Sequence, residues 1–559
     1  STSMYNHITN NWNREHVISV DPYHPNIYNH LMEYFEQWLK NHPYTKVVRL
    51  TTLAYHFPID SLPGGGTKFR DWLGYTDAIS PGALDDFEKE KGYKLRSEDI
   101  VDGGYYNATY RVPSEKYLEW MDFIHKFVVR FGKDLTDRIH KAGKKAALFW
   151  GDHWIGTEPY SSHFQKMNID INIGACRDGV GLRRIADAPG NQEKEIRLYP
   201  YFFPDVFKPG GDPTGESMDN WIKIRRALLR KKVDRIGYGG YLSLAVKFND
   251  FLEHVEELCN QFREIKNNSE PEESYKAPVR VAVLNAWGKS RSWINDLGVD
   301  YKLNSNKNPS NFLECLSGLP FNVEFINFDD IEKKGVLDNI DIIINNGEAG
   351  SAWSGGFHWK NEKIRSIIKE WVYCGGGFIG IGDPSAYDTD ISYFQLSDVL
   401  GVDKEIGKSI ACSAYEFKLK SDHFILEDSN DKIKLTAEKS YVYKSSRKTD
   451  VLLSGEGIHI LMAANKFGKG RSVYMASLPY SLQNSRILLR SIFWASNKEN
   501  EMKKWFSANI NTDCAYYRSK KLLAVINNVN DEQNTTIIDD KNNEIKVFLK
   551  PYETKWLDL

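Results

Sequence analysis

Asp152 stands where a proton donor would be useful. The apolar run Lys144–Trp150 (KKAALFW) breaks off into Gly151-Asp152-His153-Trp154-Ile155-Gly156-Thr157-Glu158-Pro159. A carboxylate just past a buried strand sits at the mouth of a (β/α) barrel. Trp150 and Trp154 would desolvate it and raise its pKa, which is what a general acid needs near neutral pH. Capping the following helix or turn is the plainer use of the same residue. Asp178, in Gly174-Ala175-Cys176-Arg177-Asp178-Gly179, closes another strand. It could pair with Asp152 as the second carboxylate of a hydrolase, or bind hydroxyls without moving a proton. Arg49 lies inside the apolar run Lys46–Leu53 (KVVRLTTL), and a guanidinium buried there needs a partner. That partner is either a structural carboxylate or an anionic substrate group, since the fork of a guanidinium matches phosphate. Arg197, just ahead of the run Leu198–Phe203, could converge with Arg49 on one anion.

Other motifs carry less chemistry. Pro63-Gly64-Gly65-Gly66-Thr67 lacks the Lys-Ser/Thr ending of a phosphate-binding loop and reads as a mobile loop over the site. Trp72, shortly after it, could stack on a sugar or simply pack. Gly380-Ile381-Gly382-Asp383 follows a strand where an amidotransferase would carry its nucleophilic Cys, and no Cys is there; Cys374 precedes the strand. That region is expected to be non-catalytic.

The elements that must hold these residues alternate. Strands are expected at Lys46–Leu53, Lys144–Asp152, Ile169–Cys176, Leu198–Phe203 and Arg235–Leu242, with helices at Tyr117–Ala142, Met218–Lys231 and Lys247–Lys266. Strand–helix alternation argues for a parallel sheet, and chemistry at strand C-termini argues for a barrel. About five strands are legible against the eight of a complete barrel, so roughly three units are expected ahead of Ser1, with Met4–Trp12 as the loop after one of them. Asn267–Pro278 (NNSEPEESYKAP) reads as a linker. Beyond it, strands Val279–Asn285, Val323–Asn327, Ile340–Asn345 and Gly377–Gly382 interleave with helices near Asn311–Leu316 and Asn361–Val372, a doubly wound α/β pattern. A further strand–helix step lies at Gly470–Ala495. Trp505–Leu559 reads as a small β-domain closed by strands at Val547–Leu549 and Thr554–Trp556. The expected domains are 1–270, an N-terminally incomplete barrel; 278–500, an amidotransferase-like α/β domain; and 503–559.

Composition bounds the partners. The 559 residues carry a net charge of −2, which gives no electrostatic case for nucleic acid or an anionic membrane. There are 15 Trp, 30 Tyr and 28 Phe; such rings stack on sugar C–H faces, though core bulk accounts for them as readily. No apolar run approaches membrane-spanning length, and no signal-peptide pattern opens the chain. The six Cys form no Cys-x-x-Cys pair, and no metal-ligand spacing is seen. Dispersed thiols of this kind read as reduced, buried and cytoplasmic.

The sequence resembles the galacto-N-biose/lacto-N-biose phosphorylase family, which includes galactosyl-rhamnose phosphorylases. The stretches that carry the resemblance are MYNHITNNW (4–12), EQWLK (36–40), VVRLTT (47–52), ALDDFE (83–88), VDGGYYNATYRVP (101–113), GDHWIGTEPY (151–160), YFFPDVF (201–207), GYGGYLSLAVKF (237–248), VAVLNAWGKSRSW (281–293) and DIIINNG (341–347). They span essentially the whole chain. The resemblance implies a (β/α)8 TIM barrel followed by an amidotransferase-like domain and a small β-domain, and an inverting phosphorolysis. It implies Asp152 as general acid, Arg49 and Arg197 on the phosphate side, and Asn6 on the galactose side. Trp72, Tyr201 and Phe203 would line the sugar pocket, with Asp178 beside them. Thr2, Tyr75 and Ala175 would vary with the acceptor.

Phosphate is itself a nucleophile, so one acid and an anion clamp suffice where a hydrolase usually needs two carboxylates. The products expected are α-galactose 1-phosphate and a free acceptor sugar: N-acetylgalactosamine, N-acetylglucosamine or L-rhamnose, with Thr2 and Ala175 pointing to the N-acetylhexosamines. Disaccharide and phosphate are the partners, phosphate is a co-substrate, no cofactor is implied, and a homodimer is expected. The rival readings are a β-galactosidase using Asp152 with Asp178 or Glu158, and a non-catalytic sugar-binding or assembly module.

Overall fold

The computed structural model describes residues 21–51, 53, 59–62, 66–69, 80–101, 111–150, 159–294, 309–386, 394–405, 416–429, 433, 435, 441–455 and 459–559. The chain divides into two compact units. The first comprises Ser1–Ala175, Ala188–Arg197 and Asp296–Lys302; the second holds Cys176–Asp187, Leu198–Asn295 and Leu303–Leu559.

The first unit contains helix α1 (Pro25–Asn41), strands β1 (Val47–Thr51), β2 (Ile59–Leu62) and β3 (Gly66–Phe69), helices α2 (Pro81–Lys91), α3 (Ser97–Val101) and α4 (Glu115–Lys141), then β4 (Lys145–Trp150), β5 (Ile171–Cys176) and β6 (Glu193–Leu198). β1, β4, β5 and β6 lie side by side in that order. β1–β4 and β4–β5 are parallel, with Arg49 opposite Ala147 and Ala147 opposite Ile171. Because side chains alternate, Arg49, Phe149, Ile173 and Ala175 share one face of this sheet. Ala147, Ile171 and Ile173 form a small core cluster there, with Phe149 against it. α4 is stapled at its start by Ser114, whose hydroxyl accepts from the Tyr117 N–H, and buries Trp120, Ile124, Val128 and Ile139 along one stripe.

The second unit opens with α5 (Gly179–Ala186), α6 (Pro213–Leu228), the short β7 (Arg235–Gly237), α7 (Leu242–Ala245) and α8 (Asn249–Ser269). There follow β8 (Arg280–Leu284), α9 (Pro309–Ser317), β9 (Asn322–Ile326), α10 (Phe328–Lys334), β10 (Ile342–Gly347), α11 (Glu362–Tyr373) and β11 (Gly377–Gly382). Next come α12 (Ser397–Leu400), the pair β12 (Val402–Lys404) and β13 (Val442–Lys444), then β14 (Asp450–Ser454), β15 (Ile460–Phe467), β16 (Gly470–Met475) and α13 (Leu482–Ala495). The main sheet runs β14-β15-β16-β11-β10-β8-β9, parallel from β9 to β16 and antiparallel over β14–β16. Its central strands are largely apolar because both faces are covered, with Asn345 and Asn346 of β10 as buried exceptions. Val281, Val283, Ile344 and Ile379 pack on one side, Ala282, Leu284, Ile343 and Phe378 on the other. The chain ends in β17 (Thr512–Tyr517), β18 (Leu522–Asn527), β19 (Gln533–Ile538), β20 (Glu544–Leu549) and β21 (Thr554–Asp558), where Trp505 stacks on Tyr516 with centroids 3.7 Å apart.

Several sequence expectations need correction. The strand expected at Leu198–Phe203 lies earlier, so Arg197 is inside β6 rather than ahead of it. The expected strand Arg235–Leu242 ends at Gly237. The stretch expected to be a linker is tied down: Ser274 donates to the Leu229 carbonyl at 2.7 Å, Lys276 to that of Arg230 at 2.6 Å, and the Tyr275 N–H to that of Tyr516 at 2.7 Å. Gly66 of the glycine run begins β3, which pairs with β2 in an antiparallel hairpin; residues 63–65 lie outside the described residues. Of the thiols, Cys176, Cys315 and Cys514 are buried, but Cys374 is exposed and Cys259 partly so; Cys412 is outside the described residues.

α5 also escapes the sequence. Its GVGLRRIA run has two glycines and two arginines, yet every residue is buried. A Cβ on Gly179 would meet Ser317 Oγ at 2.3 Å and Glu314 Oε1 at 3.0 Å. Gly179→Ala is expected to destabilise the protein by about 1–3 kcal/mol through this overpacking, read as a lower urea midpoint at unchanged m-value; an unshifted midpoint would show that α9 yields freely.

Candidate functional site

In the first unit, Arg49 projects from an exposed position of β1, with its guanidinium 5.8 Å from the centroid of the Phe149 ring. Burial is therefore not what constrains it, contrary to the sequence expectation. Arg197, on β6, is ion-paired to Glu195 at 2.8 Å. Glu195 is two residues away on the same face and is almost fully buried, so a structural carboxylate does accompany this arginine. β4 and β5 separate the strands that carry the two arginines. Ala175 ends the same sheet face and is buried.

In the second unit, Asp178 is the N-cap of α5, and the Gly181 N–H donates to its Oδ1 at 2.7 Å. The capping use weighed for Asp152 is thus seen at Asp178. A second carboxylate reaches the same helix end: Glu314, on α9, accepts from the Gly179 N–H at 3.2 Å and the Val180 N–H at 3.0 Å. Burial pushes the Glu314 carboxyl up, and the neighbouring Asp178 charge adds to this, while the two N–H donors pull it down.

Beside Asp178 runs an aromatic strip. The Arg177 guanidinium sits 5.0 Å from the Tyr199 ring centroid. Tyr199 stacks on Tyr201 at 4.3 Å and 11°. Phe203 meets the Tyr201 edge at 5.9 Å and Tyr241 at 5.8 Å. Tyr199, Tyr201 and Phe203 are brought together in the turn that follows β6, where the Phe203 N–H donates to the Tyr201 carbonyl at 2.7 Å. The strip runs outwards to Phe203, 41% exposed, and Tyr241, 62% exposed, so its outer rings are available to the C–H face of a ligand. Gly240, at φ 107°, allows the backbone of this segment to approach Phe202, where a Cβ would lie 2.6 Å from the Phe202 nitrogen. Glu216, in the first turn of α6, has its carboxyl pushed up by burial and then by Asp205, against the pull of Arg177.

The sequence signatures of lacto-N-biose phosphorylase domains cover the chain: the N-terminal TIM barrel domain matches residues 1–277, the central domain 280–500 and the C-terminal domain 505–557. The chain belongs to the lacto-N-biose phosphorylase family. It is 44% identical over 558 residues to a 1,3-β-galactosyl-N-acetylhexosamine phosphorylase of Lachnoclostridium phytofermentans, covering 99% of this chain and 76% of that one. A namesake from Bifidobacterium longum subsp. longum is 40% identical, over 96% of this chain and 75% of its own. A D-galactosyl-β-1→4-L-rhamnose phosphorylase of L. phytofermentans is 38% identical, over 96% and 74%. Among solved structures, a β-galactosidase from Bacillus circulans sp. alkalophilus superposes with a TM-score of 0.51 at 12% identity, over 97% of this chain and 84% of that one. That likeness concerns the fold.

Of the residues singled out in this lacto-N-biose phosphorylase family member, Asp152, Glu158, Asn6, Thr2, Trp72 and Tyr75 lie outside the described residues. Arg49, Ala175 and Arg197 fall in one unit, and Asp178, Tyr201 and Phe203 in the other. Arg177, Tyr199 and Tyr241 were missed; the Tyr-x-Tyr-x-Phe alternation at 199–203 was the available signal, while nothing local marks Glu314. Among the described residues no group of three or more His, Cys, Asp or Glu is placed to hold a metal, and no helix is long and apolar enough to cross a membrane.

Substitutions at Asp178 separate its cap from any further role. Asp178→Asn should keep the cap and cost little stability, whereas Asp178→Ala should cost about 0.5–2 kcal/mol. If the carboxylate also binds substrate, both variants lose activity alike; activity that merely follows stability would restrict Asp178 to capping.

Proposed function

We propose that this chain is an inverting disaccharide phosphorylase, converting a β-galactoside disaccharide and phosphate to α-galactose 1-phosphate and a free acceptor sugar, and running the reverse synthesis. The observation that carries this is the match to named galactoside phosphorylases at 38–44% identity over 96% or more of the chain. On this reading Asp152 protonates the glycosidic oxygen as phosphate, held by Arg49 and Arg197, attacks the anomeric carbon from the opposite face. Glu195 then orients the Arg197 guanidinium, whose fork geometry suits phosphate. Tyr201 and Phe203 present ring faces to sugar, with Asn6, Trp72 and Asp178 completing the galactose side. Thr2, Tyr75 and Ala175 tune the acceptor towards N-acetylhexosamines. Residues 1–270 carry the chemistry. Residues 278–500 form an amidotransferase-like domain without chemistry of its own, and 503–559 a small β-domain. No cofactor is required, and the enzyme acts as a cytoplasmic homodimer.

The test is galactoside cleavage with and without phosphate on a panel of galactosyl-N-acetylhexosamines and galactosyl-rhamnose. Cleavage should require phosphate, Asp152→Asn should lower kcat by about 10²–10⁴-fold, and Arg197→Ala should raise KM for phosphate by about 10–100-fold, as expected for one charge-assisted hydrogen-bonding group. Galactose release at full rate without phosphate would make the chain a hydrolase and overturn the proposal.

A further inference from the structure

Helix α6 carries two arginines, Arg225 and Arg226, and Arg230 follows just past its end; all three are buried. Arg226 is fully engaged, and Arg225 is engaged through both terminal nitrogens while its Nε has no acceptor among the described residues. Arg225 donates to the carbonyls of Asn527 and Tyr552, both at 2.6 Å. Arg226 donates to Asp513 at 2.7 Å, Tyr480 at 3.1 Å and Ser485 at 3.3 Å. Arg230 differs. Its Nε donates to the Gly318 carbonyl at 2.9 Å, but neither terminal nitrogen is hydrogen-bonded or ion-paired among the described residues. Arg230 is only 5% exposed.

These groups surround a cavity of about 30 Å³, lined by Arg226, Arg230, Arg486, Trp505 and Asp513 among others. One water needs about 10–15 Å³ on the same scale, so the space suits one or two small species. The charges around it do not balance. Asp513 is committed to Arg226 at 2.7 Å, and Arg486 has its own carboxylate in Asp428 at 2.9 Å. Arg230 feels the Asp513 charge only at longer range and has no ion pair of its own among the described residues. Trp505 adds an indole N–H that is buried and has no acceptor among the described residues. A buried, unpaired guanidinium is strongly unfavourable, and an unsatisfied N–H beside it compounds the cost. Desolvation accordingly lowers the pKa of Arg230. Of the charged side chains lining the cavity, Arg226, Arg230 and Arg486 are cations and Asp513 is the single carboxylate, so an anion offsets the excess positive charge and a cation does not.

We propose that this cavity is a binding site for a small inorganic anion of halide size, held by Arg230 and the Trp505 N–H, which neutralises the buried charge where α6, α13 and β17 meet. The anion is structural: it binds the folded chain only, and so stabilises it by mass action.

Crystals of the full chain grown or soaked in sodium bromide should show an anomalous bromide peak in the cavity against Arg230. In solution, the Tm should be higher in sodium chloride than in sodium gluconate at equal ionic strength, by at least about 2 °C once the site fills, and Arg230→Met should abolish the difference. No bromide peak, equal Tm in the two salts, or a halide response that survives in Arg230→Met would each overturn the proposal. A Tm rise in phosphate with none in chloride would overturn the halide assignment. If Arg230→Met does not fold, the bromide peak in the wild-type protein decides the matter alone.

Discussion

Two carboxylates on the N-terminus of α5 are the constraint around which this part of the second unit is organised. Asp178 caps the helix from the adjoining residue, and Glu314 caps it from α9, 135 residues beyond Gly179. A helix N-terminus exposes unpaired N–H groups and the positive end of the helix dipole, so it accepts negative charge. Here it takes two carboxylates, and burial together with the Asp178 charge still pushes the Glu314 carboxyl up against the pull of the N–H donors. The close approach requires a glycine at position 179, because any side chain would collide with α9. The far end of α5 is fixed as well: Arg183 pairs with Asp187 at 2.8 Å, donates to the Ser317 carbonyl at 3.1 Å and lies 4.4 Å from the Trp293 ring centroid. The helix therefore cannot shift without losing buried polar partners at both ends. The Arg177–Tyr199–Tyr201–Phe203 strip starts immediately beside this fixed point, which gives the outer rings a defined place to stand.

Buried arginine recurs as the means by which α6 is joined to the rest of its unit. Arg225 reaches main-chain carbonyls of the C-terminal strands, and Arg226 reaches Asp513 on β17 and hydroxyls near α13. A guanidinium suits this use because its five donors lie in one plane and can serve several acceptors at once. The same chemistry holds α13, where Arg486 and Arg490 share the Asp428 carboxylate. Such networks hold only when each charge is matched, and the position of Arg230 shows how the geometry of one junction can leave a charge over.

Much of the architecture is legible locally. Gly377–Gly382 was read as a strand and is one, and the Tyr117–Ala142 helix differs from α4 by only a few residues at its start. The reason is that an apolar strand or an amphipathic stripe is a one-dimensional pattern. Misreadings fall where the pattern is weak. α1 buries only Met32 and Leu39, too sparse a stripe to see. Strand β6 reads Glu-Lys-Glu-Ile-Arg-Leu, and its charged residues hid a strand that the apolar Leu198–Phe203 run seemed to offer instead. The stretch read as a linker is polar enough to look free, but its Ser274 and Lys276 find carbonyls that only the folded chain supplies.

By itself the sequence determined the family, the alternation of strands and helices, and the residue types available for chemistry, because long motifs and short-range periodicity survive in one dimension. Only the tertiary structure decided what the charged residues do. It gave Arg197 a carboxylate, left Arg49 exposed, made Asp178 a helix cap, and brought Glu314 to the same helix end. Each of those outcomes depends on which distant groups share a low-dielectric space, and the strength of a charge–charge interaction is set by that space rather than by the identity of the residue.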